Sequence, residues 1–292
     1  MVKYLNEAKK WFQSKGIDTD NTRFAIITNY VELLAIEFEK YKAGQPHNFL
    51  ALGNDIENSV YEAEAFILIY RFLNHVQSRQ FDKLLKIIVK GPDYSVNEDP
   101  ATNLHRNHLF ELYLAAKLTE KGMTIKHYED IVFDFDNFEF AIQCKRPFNI
   151  NSLSKNINYA YNQLKRHNRL ESEQRVRGII ALSVDKILGF DKFLDDKGDF
   201  KIPKYEDRHA VMKFITDSMD SMFNQYRTTW SHLLNSKVLA IFFFFRFPVI
   251  IISENNLLTN IGYVVVTPLI NKEIESLRSE YDLLIKLHGD LE

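Results

Sequence analysis

From residue 1 to about residue 90 the apolar positions recur at helical spacing, and the stretch reads as a set of helices. Ile27, Val31, Leu34, Phe38 and Tyr41 form one stripe, which ends at Gly44 and Pro46. A second helix is expected from near Ser59, with Phe66, Ile69, Leu73 and Val76 on its apolar side. A third runs from Phe81 to Val89 and stops at Gly91-Pro92. The turn formers between Gly91 and Pro100 mark a boundary, so that 1–95 is an N-terminal helical region and 101–292 a second domain. Beyond it the period changes. Asn103 to about Lys121 is helical, closed by Gly122. Ile131–Phe135 and Phe138–Lys145 alternate with period two around Asp136-Asn137, a two-residue hairpin turn. A helix with Leu153, Ile157, Ala160 and Leu164 on one face comes next, then a buried strand, Gly178–Val184, and a polar loop, Lys192–Tyr205. A long helix from about Glu206 to Leu234, strands at Val238–Phe245 and Tyr263–Thr267, and a helix from Asn271 to about Leu287 complete the chain. This order predicts an α/β fold, a mixed β-sheet flanked by helices, with an N-terminal all-α region.

Composition narrows the function classes. Of 292 residues 46% are apolar and 26% charged, enough for a large core and unlike a disordered or fibrous chain. Lys and Arg number 37 against 39 Asp and Glu, a net charge of −2, so binding to nucleic acid has to be local. The single cysteine, Cys144, excludes a disulfide framework and a cysteine-built zinc site and suits a reducing cytosol. The start lacks the apolar segment of a signal peptide. The longest apolar run, Val238–Ile252, is broken by Arg246 and Pro248 and falls short of the roughly 20 residues a bilayer requires. The expectation is a soluble cytoplasmic protein with no membrane partner.

The chemistry gathers around the hairpin. With Asp136-Asn137 as the turn, Phe135 pairs with Phe138, Ile131 with Ile142, and Asp130 falls opposite Gln143. Phe133, Phe135, Phe138, Phe140, Ile142 and Cys144 then share one face, expected to be the core side. Asp130, Asp134, Glu139, Gln143 and Lys145 share the other. Opposed residues have Cβ atoms about 4.5–5.5 Å apart, so a carboxylate, a carboxamide and a lysine converge at the open end. On the preceding helix Leu104, His108, Glu111, Ala115 and Leu118 lie along one side, which puts Glu111 on a largely apolar stripe. A carboxylate there is costly unless it meets a cation or strong donors. Two carboxylates about 5 Å apart repel by roughly 3 kcal/mol at an effective dielectric of 20. A divalent metal reverses that sign, and Mg²⁺ takes one or two protein carboxylates.

Glu111, Asp130 and the run Gln143-Cys144-Lys145, extended by Ile142 before it and Arg146-Pro147 after, resemble the PD-(D/E)xK nuclease superfamily, in its Mrr-like branch with Gln-x-Lys as third element. The resemblance covers roughly residues 103–184, with strand 238–245 as an extension, and leaves residues 1–90 outside. It implies a restriction-endonuclease-like fold and metal-dependent hydrolysis of DNA phosphodiester bonds, with roles in restriction, antiviral defence or repair. It also implies Mg²⁺ as cofactor, with Mn²⁺ as a substitute. Carried over, Asp130 is the principal metal ligand, Glu111 a second carboxylate, Gln143 a carbonyl donor, and Lys145 the group that stabilises the attacking water and developing charge. Gln163 matches a position that some relatives use near the backbone phosphate. The chain departs from the pattern in having Glu129 where proline is usual before Asp130, and in the neutral Gln143.

Between Lys145 and Arg177 eight basic side chains stand against two acidic ones, a net of +6. Arg146, Lys155, Lys165, Arg166 and Arg169 in this stretch are candidates for phosphate-backbone contacts, which need no sequence reading. Partners expected are DNA, with RNA as the alternative, a protein partner for the N-terminal helices, and further copies of the chain in an oligomer. Blander readings stand beside these. Asp130, Gln143 and Lys145 suit the solvated face of an amphipathic hairpin, and the basic stretch a solvated helix face. Glu111 could pair with an arginine such as Arg106. Pro92-Asp93 imitates the family's motif but reads as a turn. His105 and His108 have no carboxylate constellation in the sequence pattern and are expected at the surface or facing substrate. Phe242–Phe245 reads as core strand, and Cys144 as packing. A non-catalytic nuclease-like module that binds nucleic acid or a partner subunit is the competing function, and a protein scaffold without nucleic-acid affinity a third.

Overall fold

The structure, a computed structural model, describes residues 1–47, 53–92, 99, 103–128, 130–135, 138–166, 176–188, 237–247 and 263–270, with scattered residues between 204 and 234 and at 250–251. Four helices come first: α1 (Val2–Ser14), α2 (Arg23–Lys42), α3 (Gly53–Leu73) and α4 (Arg79–Ile88). Thr22 and Ser78 start α2 and α4 by accepting from the Ala25 and Phe81 amides, satisfying donors that the first turn leaves open. Next comes α5 (Leu104–Glu120), which ends where Gly122, at φ +85°, lets its amide bond Thr119 and that of Met123 bond Leu118. Gly91 takes φ +103° and lies so close to the His105 ring that a Cβ would come within 2.7 Å of it, so only glycine fits where α4 hands over to α5.

The sheet follows with β1 (Ile125–His127), β2 (Ile131–Phe135), β3 (Phe138–Lys145), α6 (Ile150–Arg166), β4 (Val176–Ser183), α7 (Asp185–Leu188), β5 (Lys204–Tyr205), β6 (Val238–Phe247), β7 (Ile250–Ile251) and β8 (Tyr263–Ile270). Six strands form one mixed sheet in the order β1-β2-β3-β4-β6-β8, and β5 and β7 pair separately. The β2–β3 register is the one the alternation predicts, Phe135 against Phe138 and Ile131 against Ile142. From β3 through β4 to β6 the strands run parallel. β1 was not expected, being too short to show a period. The turn at Asp136-Asn137, most of the polar loop at 192–205, much of the helix expected at 206–234 and the helix expected after 271 lie outside the described residues.

Both sheet faces are covered, which corrects the expectation of a single core side. Ile131, Phe133, Phe140, Ile142, Cys144, Phe242 and Phe244 pack with α1–α5 in one core. Val132, Ala141, Ile180, Leu182, Phe243 and Phe245 pack with Leu153, Ile157, Ala160 and Leu164 of α6, and with Trp230, in a second. This explains the unbroken aromatic run in β6. A parallel strand covered on both faces has no solvent side to alternate toward. The first core is continuous from the N-terminal helices to the sheet. A buried ion cluster crosses it. Glu62 of α3 accepts from Arg106 of α5 at 2.8 and 2.6 Å and lies 3.4 Å from Arg23 of α2, whose guanidinium also donates to the Ile88 carbonyl. Arg106, considered above as a partner for Glu111, is thus paired elsewhere.

Candidate functional site

Asp130 and Gln143 meet as the register argument requires. The Gln143 amide donates through Nε2 to Asp130 Oδ1 at 2.5 Å. Gln143 is 2% exposed, since α6 covers this face of β3, whereas Asp130 and Lys145 are half-buried at its rim. Strand alternation puts Lys145 on the same face as Gln143, and its ammonium lies 5.4 Å from the centre of the Tyr159 ring on α6.

Glu111 approaches from the other side of the sheet, from α5 against the Cys144 face. Its side chain is 13% exposed, and its Oε2 lies 2.7 Å from His108 Nδ1. Burial raises the Glu111 carboxyl above its ordinary range. His108 and then Lys145 oppose that rise, and the Asp130 carboxylate adds to it. The Cys144 thiol records the same neighbourhood. It is pushed well up, first by burial and then by Glu111, with Lys145 opposing and Asp130 adding. Two carboxylates and a lysine therefore sense one another around the ends of β2 and β3, although Glu111 does not share their face. A buried Cys144 held in its thiol form packs rather than reacts.

His108 corrects an expectation. It does have a carboxylate partner, one helical turn away, and the i, i+3 spacing to Glu111 was the signal that could have shown it. His105 packs against Gly91 instead. The other flagged pair, Asp134 and Glu139, is bridged by Lys126 at 2.6 and 2.9 Å, which removes the like-charge penalty and gives both a structural role.

The basic candidates divide. Lys155 and Lys165 are exposed on α6, and Gln163 is half-buried beside them with a buried Oε1. Arg146 turns inward. It is 7% exposed, its Nε is 3.6 Å from Asp185, and its charge also reaches Glu62. Asp185 in turn accepts from the Ser183 hydroxyl at 2.7 Å. Arg166 ends α6, with its side chain outside the described residues, as is Arg169 altogether.

The oxygen donors nearest these strand ends are the Asp130 carboxylate and the Gln143 carbonyl on one face and the Glu111 carboxylate on the other, hard donors of the kind Mg²⁺ accepts. Among the described residues no group of three or more His, Cys, Asp or Glu side chains is placed to hold a metal ion. A cation at this site would rest on two acids and an amide. Among the described residues no helix is long and apolar enough to cross a membrane. No known family model matches the chain, and no curated protein matches it in sequence.

Proposed function

We propose that the chain is a Mg²⁺-dependent nuclease of the PD-(D/E)xK kind that hydrolyses phosphodiester bonds of DNA. The observation that carries this reading is the contact between Asp130 and Gln143 with Lys145 next on the same face, and with Glu111 within electrostatic reach of both Asp130 and Lys145. The element order α5-β1-β2-β3-α6-β4, with β3 and β4 parallel, supports a restriction-endonuclease-like core. The buried Glu111, within electrostatic reach of a second carboxylate, fits a cation. Such a pair is strained by burial and repulsion, and a divalent ion relieves both.

In this reading Asp130 and Glu111 would hold the ion, with the Gln143 carbonyl as a neutral third donor. Gln143 also fixes the Asp130 carboxylate through its amide N–H. The chemistry an ion held there would supply is Lewis-acid polarisation of the phosphoryl oxygen and a lowered pKa for the attacking water. Lys145 orients that water and stabilises the negative charge that grows on the phosphoryl group. His108 holds Glu111 in place. A role in restriction or antiviral defence, and partner binding by the N-terminal helices, extend the same reading.

One observation favours the alternative of a non-catalytic module. The neutral Gln143 directs an N–H, not an oxygen, at the Asp130 carboxylate, and a cation has to compete with that bond. Incubation of plasmid DNA and of single-stranded circular DNA with the purified chain and Mg²⁺ or Mn²⁺ separates the two. Cleavage that disappears in Lys145→Ala and in Asp130→Ala is the expected result. DNA binding without cleavage under either ion, or cleavage that survives both substitutions, overturns the enzyme.

A further inference from the structure

We infer that Tyr159 is a stacking platform for an unpaired base, and that the site therefore takes single-stranded nucleic acid, or an unpaired end, in preference to an intact duplex. The inference rests on the nuclease reading for the identity of the polymer. Its grounds are the surface of α6. Tyr159 is 54% exposed, although an aromatic ring of this size contributes most when buried. One face of the ring meets the Lys145 ammonium at 5.4 Å, within cation–π reach, so the exposed aromatic borders the residue assigned to the phosphate.

The rest of the helix suits the same ligand. Between Ile150 and Arg166 α6 carries no Asp or Glu. Lys155, Tyr159 and Asn162 follow one another along its outer face at helical spacing, and all are exposed. A cationic group, an aromatic ring and an amide in that order form a track on which a backbone phosphate and a base can be held together. Stacking of this kind needs the base out of its pair, because in a duplex the faces are already covered by neighbours. Sequence preference is not expected, since every base has a π-face.

Binding is measured by fluorescence anisotropy, without divalent ions so that no cleavage intervenes, on a labelled oligothymidylate and on a duplex of mixed sequence. The wild-type chain is expected to bind the single strand more tightly. Tyr159→Ala should weaken that binding by about 5- to 150-fold, the range that loss of one stacked base corresponds to, with Tyr159→Trp near wild type. Duplex binding should be unmoved by either substitution. As an exposed residue Tyr159 can be replaced without loss of fold, which the melting temperature checks. Equal single-strand binding by wild type and Tyr159→Ala, or a wild-type preference for duplex, overturns the inference. If single-strand binding depends on Tyr159 but no metal supports cleavage, the nuclease reading fails and the platform stands. If duplex is cut and Tyr159→Ala changes neither binding nor rate, the platform fails and the nuclease stands. A chain that binds neither strand form removes both.

Discussion

Glu62→Ala tests how the N-terminal helices are joined to the element that carries Glu111. Glu62 lies between Arg23 and Arg106, and the side-chain exposures of the three are 9%, 0% and 5%. At an effective dielectric of 20, contacts of 2.6 and 3.4 Å correspond to about 5–6 kcal/mol of attraction each, most of it offset by the cost of removing three charges from water. Truncation removes the attraction and leaves two buried guanidinium groups facing each other, so the net loss should be about 3–5 kcal/mol. For a chain of this size that lowers Tm by roughly 6–20 °C. Burial alone would raise the Glu62 carboxyl, but Arg106 and Arg23, with a smaller share from Arg146, hold it below the ordinary glutamate range. The stabilisation is therefore present above that range and is lost as pH falls through the lowered value. Urea unfolding followed by far-UV circular dichroism and by tryptophan fluorescence provides the assay, and the two probes should report one transition. The combined change of Arg23, Glu62 and Arg106 to methionine should recover most of the loss, since apolar replacement of a whole buried triad is near neutral or better. A loss below about 1 kcal/mol for Glu62→Ala, or a triple variant worse than the single one, refutes the reasoning.

Three further outcomes follow from the same geometry. Glu111→Gln should raise Tm at pH 7, and the gain over wild type should shrink on acidification. With its folded value raised, Glu111 makes the fold less stable as pH climbs from the ordinary glutamate value of about 4.3 through the folded one, and glutamine does not titrate; a gain that grows on acidification contradicts this. Gln143→Glu should tighten Mg²⁺ binding by at least about tenfold in isothermal titration, a carboxylate replacing an amide at about 1.4 kcal/mol or more, and an unchanged affinity would place the ion elsewhere. Phe243→Ala should cost about 3–5 kcal/mol in urea unfolding, because the ring is fully buried against Trp230 at a centroid separation of 5.6 Å.

Local patterns carried far, and their limits were physical. The hairpin register was legible because a strand has a period of two, and a slip of one residue would turn Phe133 and Phe140 to the opposite face. The junction of Asp130 and Gln143 follows from that register without any tertiary information. α5 and its glycine stop were legible for the same kind of reason, since helix ends have their own chemistry. His108 beside Glu111 was within reach too, as spacing on a helix determines neighbours. β1 was not, because three residues are too few to show alternation.

Partner choice across long separations belonged to the tertiary structure alone. Nothing local distinguishes Glu62 from Glu111 as the partner of Arg106, and the outcome depends on α3 packing against α5. Arg146 reads as one more basic residue in a basic stretch, and only the adjacency of β3 and β4 turns it inward to Asp185. Likewise the sequence marks Gln143 and Lys145 as polar neighbours on one face. The packing of α6 over that face buries the first, leaves the second at the rim, and brings Tyr159 to it. Periodicity determines which way a side chain points from its own element, because backbone geometry is local. What it then meets is decided by how elements distant in the chain close over a shared core.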